Sequence, residues 1–160
     1  MYLPKHIPSA LSDKEASVLY ATCMGAKVLE IGSLFGYSTI IMAQSARVVF
    51  SVDPHEGYPE ADPKSTLMEY CKNISSYKNI VPIIAKAENV VHHLGNFDVA
   101  FIDAMGTYDC TKQLLDLVKY IPTVLVHDYG HGVWNGATRA VNEICVPKVV
   151  DTLAIIRKKV

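Results

Sequence analysis

The chain has 160 residues, half of them hydrophobic and 19% charged, with a formal net charge of -1. That length suits one domain, residues 1–160, able to bury a core without disulfide or metal staples, and the near-neutral charge gives no basic surface for a phosphate backbone, so a nucleic-acid partner is not favoured. Four cysteines with no CxxC pair signal neither zinc nor a redox dithiol, and no apolar run nears the roughly 18 residues of a bilayer crossing, so a cytoplasmic protein without a membrane partner is expected.

Ser12, three residues before Glu15, makes a capping-box pattern at the head of a helix over 12–24. The run AKVLEI at 26–31 then reads as a strand. Four more short runs rich in β-branched residues follow: RVVFSV at 47–52, NIVPII at 79–84, FDVAFI at 97–102 and TVLVH at 123–127. Most are apolar on consecutive positions, which suits strands covered on both faces, as in a parallel sheet. Helical spacing between them predicts helices over 37–46, over 63–74 with a first-turn proline, over 108–121 and over 136–145. The tail, 147–160, reads as two short strands turning about Asp151 and Thr152. The alternation predicts an α/β fold: a Rossmann-like, doubly wound, mostly parallel sheet with helices on both faces and an antiparallel C-terminal hairpin.

In such a sheet ligands sit beyond the carboxyl ends of the strands, and the first strand-to-helix turn lies closest to them. Here that turn is LEIGSLFGYST, residues 29–39. Gly32 and Gly36 let backbone approach a ligand, and Ser38 and Thr39 offer hydroxyls. The spacing departs from the dinucleotide pattern GxGxxG, yet Asp53 ends the second strand about 20 residues further on, where an acid accepts bonds from ribose hydroxyls. The expected ligand has a ribose and no pyrophosphate. Glu30, inside the first strand, either meets a cationic or amine-bearing ligand or caps amides of the loop.

VLEIGSLFGYST followed by VVFSVD resembles the first two motifs of class I S-adenosylmethionine-dependent methyltransferases, and among them the small-molecule O-methyltransferases of the catechol, caffeoyl-CoA and sugar branch. The resemblance implies cofactor contacts at Glu30, Gly32, Ser33, Gly36, Tyr37 and Ser38 in the first motif. It implies further contacts at Asp53 and Pro54 after the second strand, Glu88 in AKAEN near the adenine, and Asp103.

FDVAFIDAMGTYD and VLVHDYGHGVWNGATRAV resemble the fourth- and fifth-strand motifs of the same family, so the likeness spans about residues 27–143. In its metal-dependent members a cation holds the acceptor hydroxyl through acids at these strand ends. Asp103 and Asp128 match those acids, and His127 stands where a third ligand belongs, implying Mg²⁺ or another divalent cation; an imidazole moves the preference toward a transition metal. Asp103 reads equally as a metal-free acid holding the cofactor's amino group. The histidine that related enzymes carry as D-x-H-x-Y is missing from Asp103-Ala104-Met105-Gly106-Thr107-Tyr108, which leaves His127, Asp128 and His131 as the candidate catalytic residues. Trp134 and Tyr129 wall the acceptor pocket or cover the core edge.

These residues predict methyl transfer from S-adenosylmethionine to a hydroxyl of a small molecule or sugar, with a homodimer completing the pocket. Two alternatives remain at this point: a module that binds the cofactor without turnover, and an NAD-dependent oxidoreductase. Aminopropyl transfer is disfavoured because Met105 and Gly106 supply no acid for a polyamine.

Overall fold

The computed structural model describes residues 1–57, 65–132 and 135–158. Helix α1 (Asp13–Thr22) starts at Ser12, whose hydroxyl accepts from the Glu15 amide while the Glu15 carboxylate accepts from the Ser12 amide, the reciprocal cap that the spacing predicts. Strand β1 (Lys27–Ile31) leads through the glycine turn into α2 (Tyr37–Ala43), and β2 (Val48–Val52) follows. Helix α3 (Leu67–Ile74) begins later than expected; Pro63 lies outside the described residues.

Strand β3 (Ile80–Ile83) is followed by a four-residue helix, α4 (Ala87–Val90), that no helical spacing announced, and by a single 3-10 turn. Then come β4 (Val99–Ile102), α5 (Tyr108–Leu117), β5 (Thr123–Val126) and α6 (Asn135–Asn142). The tail forms the expected hairpin of β6 (Lys148–Val150) and β7 (Leu153–Arg157). It closes without glycine because Asp151 takes the left-handed conformation at φ +51°, open to Asp at modest cost.

The seven strands form one sheet in the order β3-β2-β1-β4-β5-β7-β6, parallel from β3 to β5 and antiparallel at β7 and β6. Strand β3 is an edge, which is why Pro82, lacking an N–H, is tolerated there. Each central strand splits its side chains between two cores. Val28, Val49, Phe101 and Leu125 pack under α1, α2 and α3, whereas Leu29, Ile31, Ala100, Ile102 and Val126 pack under α4, α5 and α6. Burying each Leu, Val or Phe contributes about 1.5–3 kcal/mol, and because both faces are covered the alternation expected of a one-sided sheet disappears. Strand order reverses between β1 and β4, so the crevice that serves as a ligand site in such sheets opens at their carboxyl ends.

Candidate active site at the carboxyl edge of the sheet

Register places the expected acids side by side. Val52, Ile31, Ile102 and Val126 are neighbours across β2, β1, β4 and β5, so the residues that follow them, Asp53, Gly32, Asp103 and His127, line up along the carboxyl edge. The ladder continues through them: the amides of Gly32, Asp103 and His127 donate to the carbonyls of Val52, Ile31 and Ile102 at 3.0, 2.9 and 3.0 Å. Alternation puts the side chains of Asp103 and His127 on the face of Phe101 and Leu125, the face covered by α1.

The glycine turn is held tightly from both sides. Gly32 has φ +87°, and a Cβ there would collide with the Asp103 carbonyl, so glycine lets the ends of β1 and β4 meet. Gly36 has φ +89°, and its missing Cβ makes room for Ile74 and Tyr70 of α3. Asp53 binds the same turn: its Oδ2 accepts from the Ser33 and Leu34 amides at 2.8 and 3.0 Å, and its Oδ1 from the His55 amide at 2.7 Å. A carboxylate offers about four acceptor positions, so about one remains for a ligand hydroxyl. Beside it the Ser33 hydroxyl is buried close to the buried Tyr70 hydroxyl of α3. An acid with spare acceptor capacity at this turn fits a polar, hydroxyl-bearing ligand.

Other expected cofactor residues have different surroundings. Glu30 is fully buried, and its two oxygens accept from the hydroxyls of Ser38 and Thr39 at 2.5 and 2.6 Å, clamping the start of α2 onto β1. Burial pushes its carboxyl up to about 7, against the pull of those two bonds. Tyr37 packs its ring into the core. Pro54 is exposed beside Asp53, and Glu88 is exposed on α4, lining a groove with Gln113 and Tyr120 of and beyond α5.

Asp103, His127 and Asp128 do come together. The His127 Nδ1 lies 3.1 Å from Asp103 Oδ1 and 3.3 Å from Asp128 Oδ1. Successive strand residues face opposite sides, and Asp128 escapes that rule because it leaves β5 in the left-handed conformation at φ +62°. The imidazole is 4% exposed while the two carboxylates are 28% and 27% exposed, so the acids open outward from a buried ring. Burial lowers the affinity of His127 for a proton, but the hydrogen bond and charge of Asp103, with Asp128 and Glu15, outweigh it and raise its pKa to about 9. Burial raises the Asp128 pKa, with His127 pulling it back. One ligand atom from each of the three residues lies within 4.8 Å of the others, and two oxygens with one nitrogen form a donor set suited to a divalent cation.

His131 is exposed in the turn after Asp128, to whose carbonyl its amide donates at 3.3 Å. The Tyr129 hydroxyl donates to Asn142 of α6, tying that turn down, and Trp134 lies outside the described residues. Two neighbours of the cluster escaped sequence reasoning, Glu15 and Thr152. Thr152 carried no signal. Glu15 carried a weak one: it falls four residues from both Leu11 and Leu19, an acid inside the buried stripe of α1.

A family described as a methyltransferase domain matches residues 29–129. The fold is shared with the O-methyltransferase TomG of Streptomyces achromogenes, solved with S-adenosylmethionine: TM-score 0.63, 16% identity, covering 91% of this chain and 78% of that one. It is shared with the O-methyltransferase of Bacillus cereus in complex with S-adenosylhomocysteine (TM-score 0.63, 19% identity, 89% of this chain and 72% of that one). A third is CalS11, a TDP-rhamnose 3'-O-methyltransferase of calicheamicin biosynthesis, with TM-score 0.65, 16% identity, and 92% and 81% covered. No curated protein sequence matches the chain. Among the described residues no helix is long and apolar enough to cross a membrane.

Proposed function

The chain belongs to the methyltransferase-domain family, and from that premise we propose that it transfers the methyl group of S-adenosylmethionine to a hydroxyl of a small molecule or sugar. One observation carries the reading: the glycine turn, Asp53 and the Asp103–His127–Asp128 cluster stand in consecutive register along the edge where the strand order reverses. The shared fold of TomG, the Bacillus cereus enzyme and CalS11 supports the oxygen acceptor.

When bound, S-adenosylmethionine supplies a methyl on a sulfonium sulfur that is displaced in line by the acceptor oxygen. The turn at Gly32 to Gly36 provides backbone close to the ligand, and Asp53 offers its remaining acceptor position to a ribose hydroxyl while it holds the Ser33 and Leu34 amides in place. Asp103 and Asp128 face the acceptor side. A divalent cation, where bound, would be held by one oxygen from each of these acids and by Nδ1 of His127, and would supply charge that polarises the acceptor hydroxyl. The hydroxyl proton has to leave as the new C–O bond forms. Both ring nitrogens of His127 are engaged, Nδ1 by the acids and Nε2 near Thr152, so that proton falls to exposed His131 beside Asp128.

The reading includes a cytoplasmic protein, supported by four unpaired thiols, and a homodimer whose second copy completes the acceptor pocket; a monomer in solution would contradict the latter. Methyl transfer itself is tested with labelled S-adenosylmethionine over a panel of catechols and nucleotide sugars, with and without Mg²⁺ or Mn²⁺. Label in at least one acceptor supports it, and cofactor binding without transfer to any acceptor contradicts it.

A further inference from the structure

His127 is gripped from behind by the two ends of the chain. Its Nε2 lies 3.3 Å from the Thr152 hydroxyl, at the turn between β6 and β7, and 3.8 Å from Glu15 Oε2 on α1. The Thr152 hydroxyl donates to Glu15 Oε1 at 2.7 Å, and the Thr152 amide donates to the same oxygen at 2.7 Å. Glu15 Oε2 meanwhile accepts from the Ser12 amide at 2.7 Å, and Ser12 in turn donates its hydroxyl to Asp151 at 2.6 Å, so the carboxylate cannot swing away without breaking the helix cap.

Counting hydrogens fixes the orientation of the ring. A hydroxyl has one proton, and the Thr152 proton goes to Glu15. Toward His127 the Thr152 oxygen can therefore only accept, which requires a hydrogen on Nε2. The other nitrogen, Nδ1, points at two carboxylate oxygens that are themselves acceptors. In the metal-free protein a hydrogen on Nδ1, donated to Asp103, fills the place between them; a divalent cation would take the same place, and with Nε2 turned toward Thr152 and Glu15 it is Nδ1 that is left for it.

We propose that Glu15 and Thr152 are positioning residues: they lock His127 with its Nε2–H turned toward α1 and so dedicate Nδ1, together with Asp103 and Asp128, to a divalent cation. Both lie outside residues 29–129, the segment that matches the methyltransferase family. The inference rests on the proposed methyltransferase reading only in taking the carboxyl edge as the functional site. Metal-ligating histidines generally donate their other ring N–H to a carboxylate, a carbonyl or water, and loss of such a partner costs about ten- to a hundredfold in metal affinity or activity. Here a hydroxyl relays between ring and carboxylate.

The probe is Zn²⁺ alone, which is diamagnetic and accepts mixed nitrogen and oxygen ligands. Histidine-labelled protein is followed by long-range proton–nitrogen NMR, with His127→Gln identifying the resonance among the six histidines. The expected spectrum shows Nε2 protonated both without metal and with Zn²⁺, and Nδ1 carrying the metal. By calorimetry Thr152→Val should weaken Zn²⁺ binding about ten- to a hundredfold, Thr152→Ser should restore it, and adenosylmethionine affinity should stay within about twofold. Rescue by serine is what mere loss of packing would not give. Metal on Nε2, unchanged Zn²⁺ affinity in Thr152→Val, or no Zn²⁺ binding that depends on His127 overturns the proposal. Should wild-type protein bind Zn²⁺ as described and yet fail to bind adenosylmethionine, the methyltransferase reading falls and this inference stands.

Discussion

Asp103 and His127 stand 3.1 Å apart although 24 residues separate them, because β4 and β5 are register neighbours and each residue is the first beyond its strand. The same edge brings Asp53 to Gly32. Chemistry at this site is thus set by which residue happens to follow each strand, while the strands themselves supply a rigid base.

Asp128→Ala should lower methyl transfer by at least about a hundredfold, the low end of what losing one charged or polar group aimed at a reacting centre costs, with the circular dichroism spectrum unchanged. Initial rates with labelled cofactor check this. Full activity in the variant would mean that the reacting hydroxyl binds elsewhere.

Asp53→Ala should have two consequences, since its carboxylate serves three loop amides as well as the proposed ribose. Leaving such groups unpaired costs about 1–3 kcal/mol, so both the denaturation midpoint and the affinity for adenosylmethionine should fall. A variant that is less stable but binds the cofactor as tightly as wild type would confine Asp53 to holding the turn.

Gly32→Ala and Gly25→Ala form an informative pair. Both glycines have positive φ, +87° and +71°, which costs an alanine roughly 1–2 kcal/mol. Only at Gly32 does the added Cβ also strike the Asp103 backbone; nothing lies within 4 Å of it at Gly25. Urea denaturation should therefore show a clearly larger loss at Gly32, and equal losses would mean that β1 and β4 do not meet there.

Much of this was legible beforehand. The five parallel strands could be read because residues such as Val28, Leu29, Phe101 and Ile102 are apolar on successive positions, a pattern that two-sided burial imposes. The hairpin at Asp151 was legible from its flanking apolar runs, though its left-handed turn was not. Helix α4 escaped because four residues are too few to show a period. Glu30 was placed in the right strand, but its bonds to Ser38 and Thr39 depend on how α2 lies across β1, which spacing along one strand does not encode. Thr152 meets Glu15 across 137 residues of sequence, a contact made only by the finished sheet.

Glu30 also gives a pH dependence whose sign can be worked out. Burial raises its carboxyl from 4.5 to about 7, so between those values the folded chain keeps a proton that the unfolded chain has released. The stabilisation is complete below pH 4.5 and is lost as pH rises through about 7, in total on the order of 3 kcal/mol. Glu30→Gln does not titrate, so the stability of wild type minus that of the variant should fall by that order from pH 4.5 to 7.5 and then level off. A difference independent of pH would mean that Glu30 keeps its charge when buried.

The most direct measurement is a calorimetric titration of wild-type protein and Asp53→Ala with S-adenosylmethionine and with S-adenosylhomocysteine. One saturable site per chain in the wild type, with markedly weaker heat in the variant, is the expected result. No saturable binding of either compound to the wild-type protein would contradict the assignment of the glycine turn as a cofactor site, and with it the proposed methyl transfer.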